Sequence, residues 1–586
     1  MRIELMLFIL IGGSLLIILF VTATLSRNYN LNRIKAKTVG DGQHGTARFA
    51  TPREIKETYK SINFEPKLWR QGINLPILQG LVVGCIGKNQ HVRAYVDTDD
   101  IHAMMVGAAG IGKTAYFLYP NLEFACAAGM SFVTTDTKGD VYRSYATIAE
   151  KYYGYKVAVI DLRNPTRSHG NNMLHLVNQY TDRYLENQSD VKSKAKAEKY
   201  AKILAKTIIQ NGSDGSASYG QNAFFYDSAE GLVTASILLV SEFSEDPKRH
   251  IISVFKLIQD LLKSTEKGEE TELQKLMNTL PPDHKARWFA GASLNSMSSA
   301  VQSILSTALS KLNAFIDSEL EQVVCFDTAI NAEEFCNQKS AVFLCLPEED
   351  NTKHFLISLI IQQLYREILT VADENQGKLK NRVMFYLDEI GTIPKIDSIE
   401  LMFSASRSRK MSIVAILQSL AQLEKNYGKE GTAIIIDNCQ DAIMGGFAPN
   451  SEGARIFSEN LGYKTVLSGS VNQGKQDPSQ SLQMIQRPLI TADELKALKK
   501  GEFIVSKTGT HPIRSELRLF ERWGIELDKP YEISEKAARP VQYAAREEIQ
   551  ESIYQRYPGS LDRRETPIKV KILNRELQQH LKGESQ

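Results

Sequence analysis

The octapeptide Gly107-Ala-Ala-Gly-Ile-Gly-Lys-Thr114 constrains this chain more than any other feature, because it satisfies the pattern G-x-x-x-x-G-K-S/T. The apolar run Ile101–Val106 leads directly into it and has the length of a buried strand, and a helical stretch over Ala115–Ala127 follows. Phosphate binding requires that layout. Small residues let backbone N–H groups curl around phosphate oxygens, and the amino end of the next helix adds the positive end of its dipole. The residues Gly107, Ala108, Ala109, Gly110, Ile111, Gly112, Lys113 and Thr114 are therefore the candidate nucleotide cradle. Lys113 would reach the β- and γ-phosphates, and the Thr114 hydroxyl would ligate Mg²⁺. A glycine turn beside a solvated lysine is the bland alternative, and the flanking strand and helix count against it.

A second segment supplies acid. In Arg382-Val-Met-Phe-Tyr-Leu-Asp-Glu-Ile-Gly-Thr392, a continuous apolar strand over Val383–Leu387 ends in Asp388 and Glu389. Beside a phosphate loop, Asp388 would hold Mg²⁺ through water and Glu389 would polarise the attacking water. This pair points to ATP hydrolysis coupled to work, whereas a small-molecule kinase would need an acceptor pocket that no segment suggests. Thr137-Lys-Gly-Asp140 also matches the T-K-x-D guanine motif of GTPases. In those proteins it follows the magnesium-binding aspartate, and here it precedes Asp388, so the order excludes a GTPase.

Further apolar runs that read as strands are Ser131–Thr135, Lys156–Ile160, Ala341–Leu346, Ser412–Leu417 and Asp441–Gly446. Helical stretches such as Lys353–Ala372 and Ser451–Gly462 alternate with them. That alternation predicts an α/β fold, a mostly parallel sheet covered by helices and buried on both faces. Between Asn178 and Gln322 the character changes to helices over Ser189–Asn211, Ile251–Lys263, Glu270–Leu280 and Ser296–Phe315, with Pro281-Pro282 as a break. An all-helical domain inserted into the α/β domain is the expectation. Lys192, Lys194, Lys196, Lys199, Lys202 and Lys206 would give its first helix a basic face, either an ordinary solvated one or a nucleic-acid contact. After Lys529 the chain mixes charges, with a helix over Ala544–Tyr557.

Near the start, Leu5–Ala23 holds no charged residue and nearly spans a hydrocarbon core of about 30 Å. It is longer than a signal-peptide apolar region, Glu4 opposes Arg2, and Arg27, Arg33, Lys35 and Lys37 follow it. An uncleaved single-pass anchor in the cell (inner/cytoplasmic) membrane is expected, with the bulk of the chain cytoplasmic. Six widely spaced cysteines without a CxxC fit a reducing compartment and neither a disulfide framework nor a zinc site. The 586 residues carry 70 basic and 68 acidic side chains, a net +2, which excludes a strongly basic nucleic-acid-binding tail but not a local basic patch.

Together the phosphate loop, the acidic pair and the anchor make the chain resemble the type IV coupling proteins, the VirD4/TraG family of conjugative ATPases. His44-Gly-Thr-Ala-Arg-Phe-Ala50, Tyr119-Pro-Asn-Leu122, Asp136-Thr-Lys-Gly-Asp140, Leu417-Gln-Ser-Leu-Ala-Gln-Leu423 and Arg487-Pro-Leu489 are similar to strings of that family. They cover most of residues 40–525, and FtsK-like DNA pumps do not share them. The Asp136 string also accounts for the false GTPase signal.

The resemblance implies a RecA-like P-loop ATPase domain over 36–177 and 323–529, an all-helical insertion over 178–322, an anchor over 1–35 and a polar tail over 530–586. It further implies that Arg407 reaches a neighbouring subunit's ATP and that Gln418 senses the γ-phosphate. The implied partners are a homo-hexamer, single-stranded DNA with its relaxase, and type IV secretion channel proteins. The alternatives are a nucleotide-gated substrate receptor that pumps little, and an FtsK-like double-stranded DNA translocase. One departure is that the family often has two membrane helices, and only one is visible in this sequence.

Overall fold

The computed structural model describes residues 42–558 except 89–90, 212–219, 221, 264–269, 297, 327, 348–351, 474–477 and 537–538, together with residues 6 and 12–21. Its strands are β1 (Lys60–Asn63), β2 (Leu81–Lys88), β3 (His91–Asp97), β4 (His102–Val106), β5 (Ser131–Asp136), β6 (Lys156–Asp161) and β7 (Ser340–Cys345). They continue as β8 (Val383–Leu387), β9 (Met411–Leu417), β10 (Cys439–Met444), β11 (Tyr463–Gln473), β12 (Pro478–Pro488), β13 (Glu502–Lys507) and β14 (Ile513–Glu516). Twelve form one sheet in the order β1-β3-β2-β14-β13-β10-β4-β9-β8-β5-β7-β6, and β11 with β12 makes a separate hairpin.

From β10 to β6 every neighbouring pair is parallel. The six apolar runs expected as strands after the phosphate loop coincide with β5 to β10 to within two residues at each end. The reason is alternation inside a doubly covered sheet. Met104, Val133, Phe385, Ile413 and Leu344 enter one apolar core. Their chain neighbours Met105, Phe132, Met384, Val414 and Phe343 enter the other. With both faces buried, no polar period survives in the strand, only a continuous apolar run. The antiparallel extension β13-β14-β2-β3-β1 is not among those runs.

Among the described residues between β6 and β7 the named elements are all helical, and their apolar side chains share one continuous core with a face of the sheet. Sequence periodicity missed the helix Ala223–Phe243. It is apolar around most of its circumference, packed between Val191–Gln210 and Ser298–Leu312, and so lacks an amphipathic stripe. This helix and His354–Glu374 are long and apolar enough to cross a membrane, yet 61% and 83% of their most apolar windows lie inside the protein, which marks them as core helices. Of the predicted anchor, residues 12–21 are described and form a helix with Leu15, Leu16 and Phe20 exposed. The rest of Leu5–Ala23 lies outside the described residues, apart from Met6.

Two further expectations need correcting. Lys196 is not on a basic face: it is mostly buried, and its Nζ lies 3.1 Å from Glu333 and 2.9 Å from Glu374, tying its helix to the next layers. Nor are residues 530–558 a free polar tail. Tyr531 and Ile533 pack on the sheet side, and Ala544, Ile549 and Ile553 are buried among the helices. Few apolar residues are present there, but most of the described ones are spent on packing. All six cysteines are free thiols, five of them buried, as a reducing compartment would allow.

Inside His354–Glu374, Glu367 is 3% exposed and accepts a 2.8 Å hydrogen bond from the Gln363 side chain. Burial pushes this carboxyl up to about 8. The folded chain therefore keeps a proton that the unfolded chain, with a carboxyl near about 4.3, gives up. That contribution to stability is full below about pH 4 and lost as pH rises through about 8. Glu367→Gln is expected to flatten this decline, read as Tm measured at pH 5 and pH 9.

Candidate functional site

The phosphate loop leaves the carboxyl end of β4 between β10 and β9, its first two amides donating to Leu417 and Gly446 carbonyls at 3.1 and 3.0 Å. Two glycines are required by the backbone. A Cβ on Gly107 would lie 2.6 Å from the Gly445 carbonyl oxygen, and Gly112 has φ +87, a left-handed value that glycine adopts without strain. The helical stretch expected over Ala115–Ala127 is present and opens on a wide turn. Thr114–Leu118 make one π-helical turn, closed by the Tyr119 N–H on the Thr114 carbonyl, and the α-helix Tyr119–Ala127 follows. Pro120 accounts for the wide turn, since it has no N–H for the Tyr116 carbonyl.

Parallel register brings three strand ends together. Val106 of β4 lies opposite Leu417 of β9, and Leu387 of β8 lies opposite Ala415 of β9. Hence Lys113, Gln418, Asp388 and Glu389 share one edge of the sheet on adjacent strands. Lys113 is 7% exposed; its Nζ donates to the Gly107 carbonyl at 3.0 Å and sits 3.6 Å from Glu389 Oε1. Gln418 Nε2 donates to the same Oε1 at 3.0 Å. Among the described residues Glu389 Oε2 is buried with no partner. Glu389 also holds φ +55, an unusual conformation for a residue with a side chain, of the kind that costs roughly 1–3 kcal/mol and clusters at functional sites.

Asp388 completes the arrangement. Its carboxylate accepts the Glu389 N–H at 3.1 Å, and its carbonyl accepts the Thr135 hydroxyl at 2.8 Å. Burial pushes its carboxyl up to about 7, with Glu389 and Asp136 adding repulsion and Lys113 opposing. A divalent cation would relieve that cost by favouring the ionised form.

Sequence reasoning gave Thr135 no role at all. Asp136 was visible only as part of the string Asp136–Asp140. Its carboxylate accepts N–H groups from Lys138, Gly139, Val141 and Tyr142, so it fixes the turn into the helix Asp140–Tyr153.

The loop amides, the Lys113 ammonium, the Thr114 hydroxyl and two carboxylates fit a triphosphate with Mg²⁺. The fit rests on the unpaired Glu389 oxygen and on a lysine whose Nζ lies over its own loop, 3.0 Å from the Gly107 carbonyl. Arg407 does not join them. It is exposed, in the turn Arg407–Arg409 just before β9, on the opposite edge of the sheet. There burial, reinforced by the Arg407 charge, holds the His102 imidazole down at about 4. The length of β9, about 20 Å, separates Arg407 from the phosphate loop of its own chain.

A family model described as type IV secretory system conjugative DNA transfer matches residues 75–540. The type IV secretion system-coupling protein VirD4 of Bartonella quintana is 23% identical over 306 residues, 51% of this chain and 46% of that protein. The probable conjugal transfer protein TraG of Sinorhizobium fredii is 28% identical over 142 residues, 24% of this chain and 22% of that protein. The chain thus spans about half the length of the VirD4 relative it matches. Among solved structures, the plasmid coupling protein TrwB in complex with the ATP analogue ADPNP superposes with TM-score 0.51 at 15% identity, covering 82% of this chain and 97% of that one. The unbound TrwBdeltaN70 gives TM-score 0.50 at the same identity and coverage. At that identity the likeness is one of fold, a mixed α/β sheet with many helices.

Proposed function

Because the chain belongs to the family of type IV secretory system conjugative DNA transfer proteins, we propose that it is a membrane-anchored, ring-forming ATPase. It couples single-stranded DNA carried by a relaxase to a type IV secretion channel and drives transfer by ATP hydrolysis. The observation that carries this reading is the junction of Lys113, Glu389 and Gln418 at the end of three adjacent strands. A receptor that only binds nucleotide has no need of a half-buried carboxylate poised for a water.

ATP with Mg²⁺ supplies the phosphoanhydride whose hydrolysis does work. The cradle Gly107–Thr114 holds the phosphates, Lys113 reaches them, and Thr114, with Asp388 through water, would hold the metal. Glu389, freed from Lys113, accepts a proton from water through the oxygen that has no partner, while Gln418 keeps its other oxygen in place. Arg407 serves the site of the next subunit. The domain division, the single-pass anchor over residues 5–23, the hexamer and the DNA-bound partner belong to the same proposal.

Lys113→Ala is expected to abolish DNA-stimulated ATP turnover and conjugative transfer while Tm stays within about 3 °C of the parent chain. Turnover measured with purified full-length protein and transfer frequency of the parent element are the two readouts. Normal transfer with this variant would contradict the coupling role.

A further inference from the structure

Arg407 shares its edge of the sheet with a feature that the proposed activity does not use. The loop between Trp69 and β2 carries Ile73, Leu75 and Ile77 at alternate positions, 46%, 39% and 100% exposed. The loop is nevertheless held firmly. The Ile73 N–H donates to the Leu68 carbonyl at 2.9 Å, and Pro76 fixes one backbone angle. Gln79 donates to the Ala128 carbonyl at 3.3 Å and accepts the Arg382 N–H at 3.0 Å. Behind it, Arg70 and the fully buried Glu123 form a 2.7 Å ion pair. A rigid loop that presents three apolar side chains to water is an unfilled contact.

We propose that this loop docks onto a second copy of the chain, on the edge that carries the phosphate loop, and so positions Arg407 at the neighbour's nucleotide. The inference rests on the ATPase reading given above and names the contact that assembles it. Charge favours a head-to-tail arrangement. Beside the loop, at the amino ends of β7, β8 and β9, lie Lys339, Lys378, Lys380, Arg407 and Lys410. Most acids of that edge are occupied or buried, with Asp437 before β10 left exposed. Asp97 and Asp99 pair with Lys507, Asp100 with Arg382, Asp373 with Arg409 and Glu334 with Lys156. Among the described residues the five cations have no ion pair, so the edge is left positive.

The opposite edge sets Asp136, Asp161, Asp388 and Glu389 beside Lys113, Lys138 and Arg163 around the phosphate loop, and a bound triphosphate would turn that mixed edge negative. One edge against the other is a heterologous contact, which repeats from copy to copy and closes into a ring when the rotation allows. Arg407 cannot reach the site of its own chain, so the site is incomplete without the second copy.

The test uses the full-length protein in nanodiscs. Ile77→Asp is expected to raise the concentration for half-assembly, read by mass photometry, by about tenfold or more. Turnover per chain should fall at low protein concentration and recover at high concentration, with nucleotide affinity of the single chain unchanged. Ile77→Leu should assemble like the parent chain. Because the Ile77 side chain is wholly exposed, Tm of the aspartate variant should not move, which separates lost docking from lost folding.

A second measurement places an environment-sensitive fluorophore on Ile77→Cys in phosphatidylglycerol–phosphatidylethanolamine vesicles. Shielding from aqueous iodide on assembly, without quenching by brominated lipid, is the expected result. Normal assembly of Ile77→Asp, or a probe quenched by the brominated lipid, would overturn the proposal and leave the ATPase reading intact. A parent chain that assembles but never hydrolyses ATP would instead remove that reading.

Discussion

Arg407→Ala is expected to lower ATP turnover by about 10³–10⁵-fold while nucleotide affinity changes little. The expectation follows from where the side chain is. Arg407 lies at the amino end of β9, Gln418 follows its carboxyl end, and the phosphate loop lies beside the latter. A guanidinium about 20 Å from its own site cannot stabilise charge there, and over that distance about two Debye lengths of salt lie between them. Delivered by a neighbour into a water-poor site, the same group meets the transferring phosphoryl directly.

Mixing variants makes this decisive. Neither Arg407→Ala nor Lys113→Ala alone should turn over ATP. Mixed assemblies should regain part of the activity, since some sites then combine an intact Lys113 from one chain with an intact Arg407 from the next. Mixtures no more active than their parts would show that Arg407 acts within its own chain or not at all.

Glu389→Gln should slow hydrolysis by about 10²–10⁴-fold, the usual worth of a positioned proton acceptor, with nucleotide still bound. Glutamine keeps the shape and can still accept from Gln418, so the site should stay assembled. It cannot take a proton from water, and it removes the charge that lies 3.6 Å from the Lys113 ammonium. Nucleotide affinity should therefore stay equal or rise, because Lys113 no longer has to leave a carboxylate to reach phosphate. Single-turnover kinetics beside equilibrium binding separate the two effects. Full-rate hydrolysis by Glu389→Gln would assign the proton acceptor elsewhere, and lost binding would make Glu389 part of the cradle instead.

The chemistry of the site was legible in the sequence because it is written in short strings. Gly107–Thr114 and Asp388-Glu389 each sit at the end of an apolar strand, and strands buried on two faces are continuous apolar runs whatever lies around them. Gln418 and Arg407 carried no such local signal, and only the resemblance singled them out. The hydrogen bond from Gln418 to Glu389 spans 29 residues and exists because β8 and β9 are neighbours in register. The helix Ala223–Phe243 lacked an amphipathic stripe because it is surrounded, and residues 530–558 looked like a tail because their few apolar side chains are widely spaced.

Sequence alone thus determined that a phosphate loop and a carboxylate pair must sit on buried parallel strands, since both depend on residue type within a few positions. Tertiary structure alone decided that Lys113, Glu389 and Gln418 meet on one edge of the sheet and that Arg407 and the exposed Ile73–Ile77 loop lie on the other. Strand order and direction set which ends coincide, and those are properties of pairing between distant segments, which no local string encodes.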